Sequence, residues 1–178
     1  MRLPRSFYAR PTVEVARDLL GKVIRHGAAS ARIVETEAYL GADDAAAHSA
    51  RGRTPRTSVI FGPPGRAYVY LIYGMHCCLN VVAEREGVAG CVLIRAVEPL
   101  SGVIHISNGP GKLTRALGIT LQHYGADLTR GPLTIHTPAN DEKIAIDTSP
   151  RIGINKSADL PLRFFIAGNR FVSREPRR

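Results

Sequence analysis

Apolar and polar positions alternate most clearly over two β-like arms, residues 67–72 and 76–82, on either side of Tyr73-Gly74-Met75. A period of two sends successive side chains to opposite faces, so Tyr68, Tyr70 and Ile72 share one face and Val69 and Leu71 the other. The pattern predicts a β-hairpin with its tip near Gly74. Tyr73 falls where the first arm ends and the turn begins, an odd place for a core aromatic and a suitable one for a wedge that enters a partner. Elsewhere Val13, Ala16, Leu19 and Leu20 form a helical stripe, opened by Pro11 and closed by Gly21, which predicts a helix over 11–20. Residues 22–25 read as a short strand and 31–40 as a strong one. Residues 41–57 are polar, rich in small side chains, and read as a loop or short helix carrying His48. A second buried strand is predicted over 90–97 with Arg95 at its middle, then a helix over 109–117 entered through glycines. Strands over 133–136, 143–146 and 162–167 complete the chain, and a basic tail over 174–178 is expected to fray. Strands outnumber helices and do not alternate with them. The predicted class is therefore α+β, a single domain spanning 1–178 with a curved, mostly antiparallel sheet, flanking helices and a protruding β-hairpin.

Charge changes this picture. With 24 Lys and Arg against 15 Asp and Glu, the formal charge is +9, the footprint expected of a polyanion partner such as nucleic acid. Cys77, Cys78 and Cys91 show no disulfide-like spacing and read as reduced thiols. No apolar leader opens the chain and no run approaches membrane-spanning length, so a cytoplasmic protein is expected. His48, His76 and the cysteines lack metal-ligand spacing, and neither a metal nor a cofactor is expected. Residues 109–114 look faintly like a phosphate loop, but Leu113 stands at its Ser/Thr position, which argues against nucleoside triphosphate binding. Glycines opening a helix there can still present backbone amides to a DNA phosphate.

The candidate chemistry lies on the strand over 31–40. Glu35, Glu37 and Tyr39 share one face, with Val34, Thr36 and Ala38 on the other. Same-face neighbours lie roughly 7 Å apart, close to the spacing of paired glycosidase carboxylates. An anionic carboxylate stabilises an oxocarbenium-like state while activating water, for a sugar–sugar or a sugar–base bond alike. The strand alone does not choose between them, and a half-buried strand with a wet acidic face is the simpler reading. Arg95 is a natural partner for Glu37, and a buried Asn80 would need its amide satisfied.

Several blocks together carry a resemblance. They are Arg32-Ile33-Val34-Glu35-Thr36-Glu37-Ala38-Tyr39-Leu40-Gly41, Ala47-His48-Ser49, Thr54-Pro55-Arg56, residues 68–80, residues 92–100, Gly109-Pro110-Gly111-Lys112-Leu113 and Pro161-Leu162-Arg163-Phe164-Phe165. In this order the chain resembles the alkyladenine (3-methyladenine, or N-methylpurine) DNA glycosylase family over nearly its whole length. The resemblance implies a monomer that places a β-hairpin in the minor groove of double-stranded DNA. It flips a damaged purine nucleotide and hydrolyses its N-glycosidic bond, leaving an abasic site. By position Glu37 is the general base, Arg95 helps hold Glu37 and its water, and the Ile152 carbonyl is a further water ligand. Glu35 is structural. Tyr39, His48 and Tyr70 enclose the flipped base, Asn80 crowds the 2-amino group of guanine, and Tyr73 is the intercalating wedge. The chain departs from some relatives at His76-Cys77-Cys78, where bulkier aromatics are expected. Two other readings of the residues remain at this point: a different glycosidic hydrolase using Glu35 and Glu37 as a pair, and a binding module whose tyrosines only stack on bases.

Overall fold

The fold is that of a computed structural model, which describes residues 1–103, 105, 107–140 and 142–173; the tail expected to fray lies outside them. Two short helices, α1 (Arg5–Tyr8) and α2 (Thr12–Asp18), lead into a hairpin of β1 (Val23–His26) and β2 (Ala29–Tyr39). Next come the tyrosine-rich hairpin β3 (Ala67–Ile72) and β4 (His76–Val82), β5 (Cys91–Ser101) and α3 (Pro110–Ala116). The chain closes with β6 (Leu133–His136), β7 (Ile146–Ser149) and β8 (Arg163–Ile166). Every pairing is antiparallel, in the order β3-β4-β5-β2-β1-β6, with β8 on β2 and β7 on β8. The α+β class with an antiparallel sheet, flanking helices and a hairpin is thus observed.

β2 is the spine. One edge pairs with β5 along its length, while the other is divided between β1 at its start and β8 at its end. Register shifts fall between Ile33 and Glu35 and again between Glu35 and Thr36, leaving Val34 and Arg95 without a paired partner. Bulges of this kind bend a strand and re-aim its side chains. Here they let Ile33 and Val34 both enter the core while Glu35 and Glu37 stay on the opposite face.

The two faces bury different things. One packs Val34, Ala38, Ile94 and Ala96 against Val15 and Ala16 of α2, Leu19 just beyond it and Leu113 of α3. Thr36 joins that face, its hydroxyl donating to the Ala16 carbonyl at 2.8 Å. The other face carries a smaller cluster of Ile60, Tyr68, Val82 and Cys91, with Tyr39 and Tyr70 packed on it. The predicted alternation of Tyr68 and Tyr70 against Val69 is realised, because Val69 enters the main core.

The last strands differ in detail from the sequence pattern. Residues 143–145 are not strand; β7 instead runs through the polar Ile146-Asp147-Thr148-Ser149. Its register follows β8, where Arg163 donates to the Ser149 hydroxyl at 2.9 Å. A polar edge strand held by a partner's side chain leaves little hydrophobic signal. At the hairpin tip, Tyr73 (φ 53) and Gly74 (φ 69) both have positive φ, as a primed hairpin turn requires. Glycine takes that conformation freely, whereas a tyrosine there is uncommon. α3 braces the hairpin from behind: Thr114 donates to the Cys77 carbonyl at 2.8 Å, and a Cβ on Gly111 would stand 2.9 Å from that of His76.

Candidate active site

Glu37 lies near the end of β2 and is fully buried. Its Oε1 accepts the Ile152 amide at 2.8 Å and faces Arg95 Nη1 at 3.4 Å, while its Oε2 accepts the Tyr39 hydroxyl at 2.9 Å. Burial pushes its carboxyl above the usual range; Arg95, the Ile152 amide and Tyr39 oppose that, and the neighbouring Glu35 adds to it. A carboxylate has about four acceptor positions, so these contacts leave room on Oε2 for one more donor such as water.

Above this carboxylate opens a cleft of ≈ 370 Å³, lined by Tyr39, His48, Tyr68, Tyr70, Asn80, Arg95 and Ile152 among others. Glu37 is not on its wall. Its three hydrogen-bond and charge partners are, so it sits one layer beneath the floor. The His48 and Tyr70 rings stand edge to face with centroids 4.6 Å apart, forming a single aromatic surface. His48 Nδ1 is 2.8 Å from the Tyr68 hydroxyl, which fixes the ring's orientation. Burial and the charge of Arg56 lower the His48 pKa, so its imidazole is neutral at physiological pH. Burial pushes the Tyr68 phenol up to about 12, and Tyr39 and Tyr70 are raised as well, again chiefly by burial. Three neutral phenols and a neutral imidazole make a wall suited to a flat ring.

Asn80 faces Tyr68 across the hairpin and lines the same cleft. Its amide donates to the Tyr68 carbonyl at 3.1 Å, which fixes its direction. Tyr73 stands at the rim, 85% exposed, with Met75 beside it at 72%. The sequence-predicted residues Glu37, Arg95, Ile152, Tyr39, His48, Tyr70, Asn80 and Tyr73 therefore converge on one cleft. What the structure shows of Ile152 is its amide, which donates to Glu37.

Glu35 does something else. Its Oε1 accepts Arg163 Nε at 2.6 Å, the Ser173 hydroxyl at 2.8 Å and Arg95 Nε at 3.2 Å, and its Oε2 accepts the Ser173 amide at 2.7 Å. Four donors already surround it, and of these residues only Arg95 lines the cleft, so its contacts are those of an anchor for Arg95, Arg163 and Ser173. These contacts weigh against a paired-carboxylate role for Glu35. Arg95 instead bridges the two carboxylates, and Glu35 fixes it in place.

Sequence reasoning missed Asp44 and Arg151. Both side chains are fully buried and ion-paired at 2.5 Å, and the Arg151 guanidinium lies 4.6 Å over the Tyr39 ring. No local pattern signals a pair so far apart in the chain. Among the described residues no cluster of three His, Cys, Asp or Glu could hold a metal ion, and no helix is long and apolar enough to cross a membrane.

An aromatic cleft shaped for a flat ring thus lies over a buried carboxylate with room for one more donor, an arrangement that can serve the hydrolysis of a glycosidic bond. Comparison with known proteins narrows the class. Residues 6–170 match the model of the Methylpurine-DNA glycosylase (MPG) family, and the chain belongs to that family. A protein of Methanoculleus marisnigri is 49% identical over 98% of this chain and 100% of its own length. One of Anaeromyxobacter dehalogenans is 50% identical over 99% of this chain and 87% of its own. One of Legionella pneumophila is 47% identical over 97% and 98%. All three are named as candidate 3-methyladenine DNA glycosylases.

Proposed function

We propose that this chain is a base-excision-repair glycosylase that removes damaged purines, of the 3-methyladenine, 7-methylguanine and hypoxanthine type, from double-stranded DNA. The observation that carries the reading is the buried Glu37 carboxylate, held by Tyr39, Arg95 and the Ile152 amide beneath an aromatic cleft. In this reading the β3–β4 hairpin enters the minor groove and Tyr73 fills the gap left by the extruded nucleotide. Extrusion costs a few kcal/mol, least for a damaged base, and stacking offsets it. The flipped purine lies between Tyr39 on one side and the His48–Tyr70 surface on the other, while Asn80 crowds a guanine 2-amino group.

The bond from base nitrogen to C1′ then breaks, its electrons leaving with the purine, and water adds at C1′. Glu37 takes the proton of that water; Arg95 and the Ile152 backbone fix the positions of both. A cationic alkylated purine is a good leaving group without further help and is attracted to electron-rich rings. The products are a free base and an abasic site, and the enzyme acts as a monomer on chromosomal DNA in the cytoplasm. The formal charge of +9 favours that polyanion. The test compares the wild type with Glu37→Gln on duplexes carrying one modified purine. The wild type should release the base; the variant should bind the duplex and release none.

A further inference from the structure

The face of Tyr39 turned away from the cleft is covered by Arg151, whose Cζ lies 4.6 Å from the ring centroid. Tyr39 lines the cleft and Arg151 does not, so the ring separates a cation from the cleft. Arg151 and its partner Asp44 both have side chains 0% exposed. Nη1 of Arg151 donates to Asp44 Oδ2 at 2.5 Å and to the Ala38 carbonyl at 2.9 Å. Nη2 donates to Asp44 Oδ1 at 2.8 Å and to the Ser157 carbonyl at 3.2 Å. The amides of Leu40 and Ala46 donate to the same carboxylate at 3.2 and 3.1 Å. Burial alone would raise the Asp44 carboxyl, but Arg151 and these amides outweigh it and hold it below its usual range. Asp44 is ionised at neutral pH, and the pair behind Tyr39 carries no net charge.

We propose that Asp44 sets the charge specificity of the base cleft: by neutralising Arg151 behind Tyr39, it allows that ring to receive a cationic purine. The inference rests on the glycosylase reading and deepens it. A ring face attracts a cation through its quadrupole, an effect that an uncompensated charge on the opposite face would oppose. A base stacked on Tyr39 at about 3.5 Å would lie about 8 Å from the guanidinium, where unit charges still interact appreciably at an effective dielectric of about 20. A neutral base carries no charge to be repelled. Two other cations line the cleft: Arg56 lies 5.2 Å over Tyr70 but is exposed to solvent and its screening, and Arg95 is paired with both Glu35 and Glu37. Arg151 is buried, and its charge is offset first by the hydrogen-bonded Asp44 and to a lesser extent by Glu37 beyond the Tyr39 hydroxyl.

The alternative is that the pair merely fastens two loops, in which case its loss slows excision of every base equally. Asp44→Asn keeps an acceptor oxygen for Arg151 and removes the negative charge. Single-turnover release of 7-methylguanine, a cation in DNA, and of hypoxanthine, neutral, is measured from otherwise identical duplexes. In Asp44→Asn the ratio of cationic to neutral release should fall on the order of tenfold. In the double variant Asp44→Asn with Arg151→Gln, which removes both charges, the ratio should return to the wild-type value even as both rates fall. Arg151→Gln alone, which leaves the Asp44 carboxylate behind the ring, should move the ratio in the opposite direction and carries the test if Asp44→Asn does not fold; an unchanged or lowered ratio there overturns the proposal. An unchanged ratio in Asp44→Asn, or a double variant whose ratio departs from the wild type, overturns the proposal. If the wild type releases neither base, the glycosylase reading falls and this inference with it; if it releases both and the ratio does not move, only this inference falls.

Discussion

Removing one oxygen from Tyr39 separates its two tasks. Tyr39→Phe keeps the ring that lines the cleft, with Arg151 on its far face, and deletes the hydroxyl that donates to Glu37 Oε2 at 2.9 Å. A buried hydrogen bond to a charged group is worth about 1.5–3 kcal/mol. This one favours the ionised form of Glu37, the form that the proposed mechanism needs as its base. Glu37 is already raised by its burial, against which Arg95, the Ile152 amide and Tyr39 act together. Losing the hydroxyl raises it further, so the acid limb of the pH–rate profile moves to higher pH. On that limb the rate should fall about 10- to 100-fold, at about 1.4 kcal/mol per decade. At pH well above the shifted limb, much of the rate should return. The assay is single-turnover excision across the pH range, with lesion-duplex affinity measured alongside to show that the stacking surface survives. A uniform loss at every pH with an unmoved acid limb would refute the reasoning, because the hydroxyl would then not be acting through Glu37.

Two further outcomes follow from the same geometry. Glu37→Gln should raise thermal stability: a carboxyl with a raised folded-state pKa favours folding below its ordinary value of 4.5 and loses that contribution as pH rises through the raised value. Calorimetry at neutral pH should show the variant melting higher, by about 2–4 °C for each kcal/mol relieved, with the difference vanishing in acid. Tyr73→Ala should weaken the flipped complex about 5- to 100-fold, as expected for a lost stacking aromatic, and leave the melting temperature nearly unchanged because Tyr73 is 85% exposed. Base-flipping fluorescence beside a melting curve checks both, and an unchanged flipping equilibrium would reduce Tyr73 to an exposed aromatic.

What the sequence disclosed depended on range. The hairpin, the alternation that puts Glu37 beside Tyr39, and the β6 strand were all written in local periodicity, and the structure bears them out. The resemblance located the residues that gather at the cleft. Contacts made across the chain left no such trace. Glu35 is satisfied by Arg163 and Ser173, 128 and 138 residues away, and Asp44 by Arg151, 107 residues away. A bulge that leaves Arg95 out of register lets one guanidinium reach both carboxylates, which no period-two reading anticipates. β7 escaped because a polar edge strand is specified by its neighbour's side chains more than by its own.

The central claim is that one carboxylate, Glu37, activates the water that releases the base, while its strand neighbour Glu35 holds the site together. The most direct measurement is single-turnover release of 3-methyladenine from a duplex by Glu37→Gln at neutral pH, in protein shown to be folded and to bind the same duplex as tightly as the wild type. Release should fall to the level seen without enzyme while binding persists. Release at the wild-type rate by the folded variant would contradict it and remove Glu37 from the chemistry.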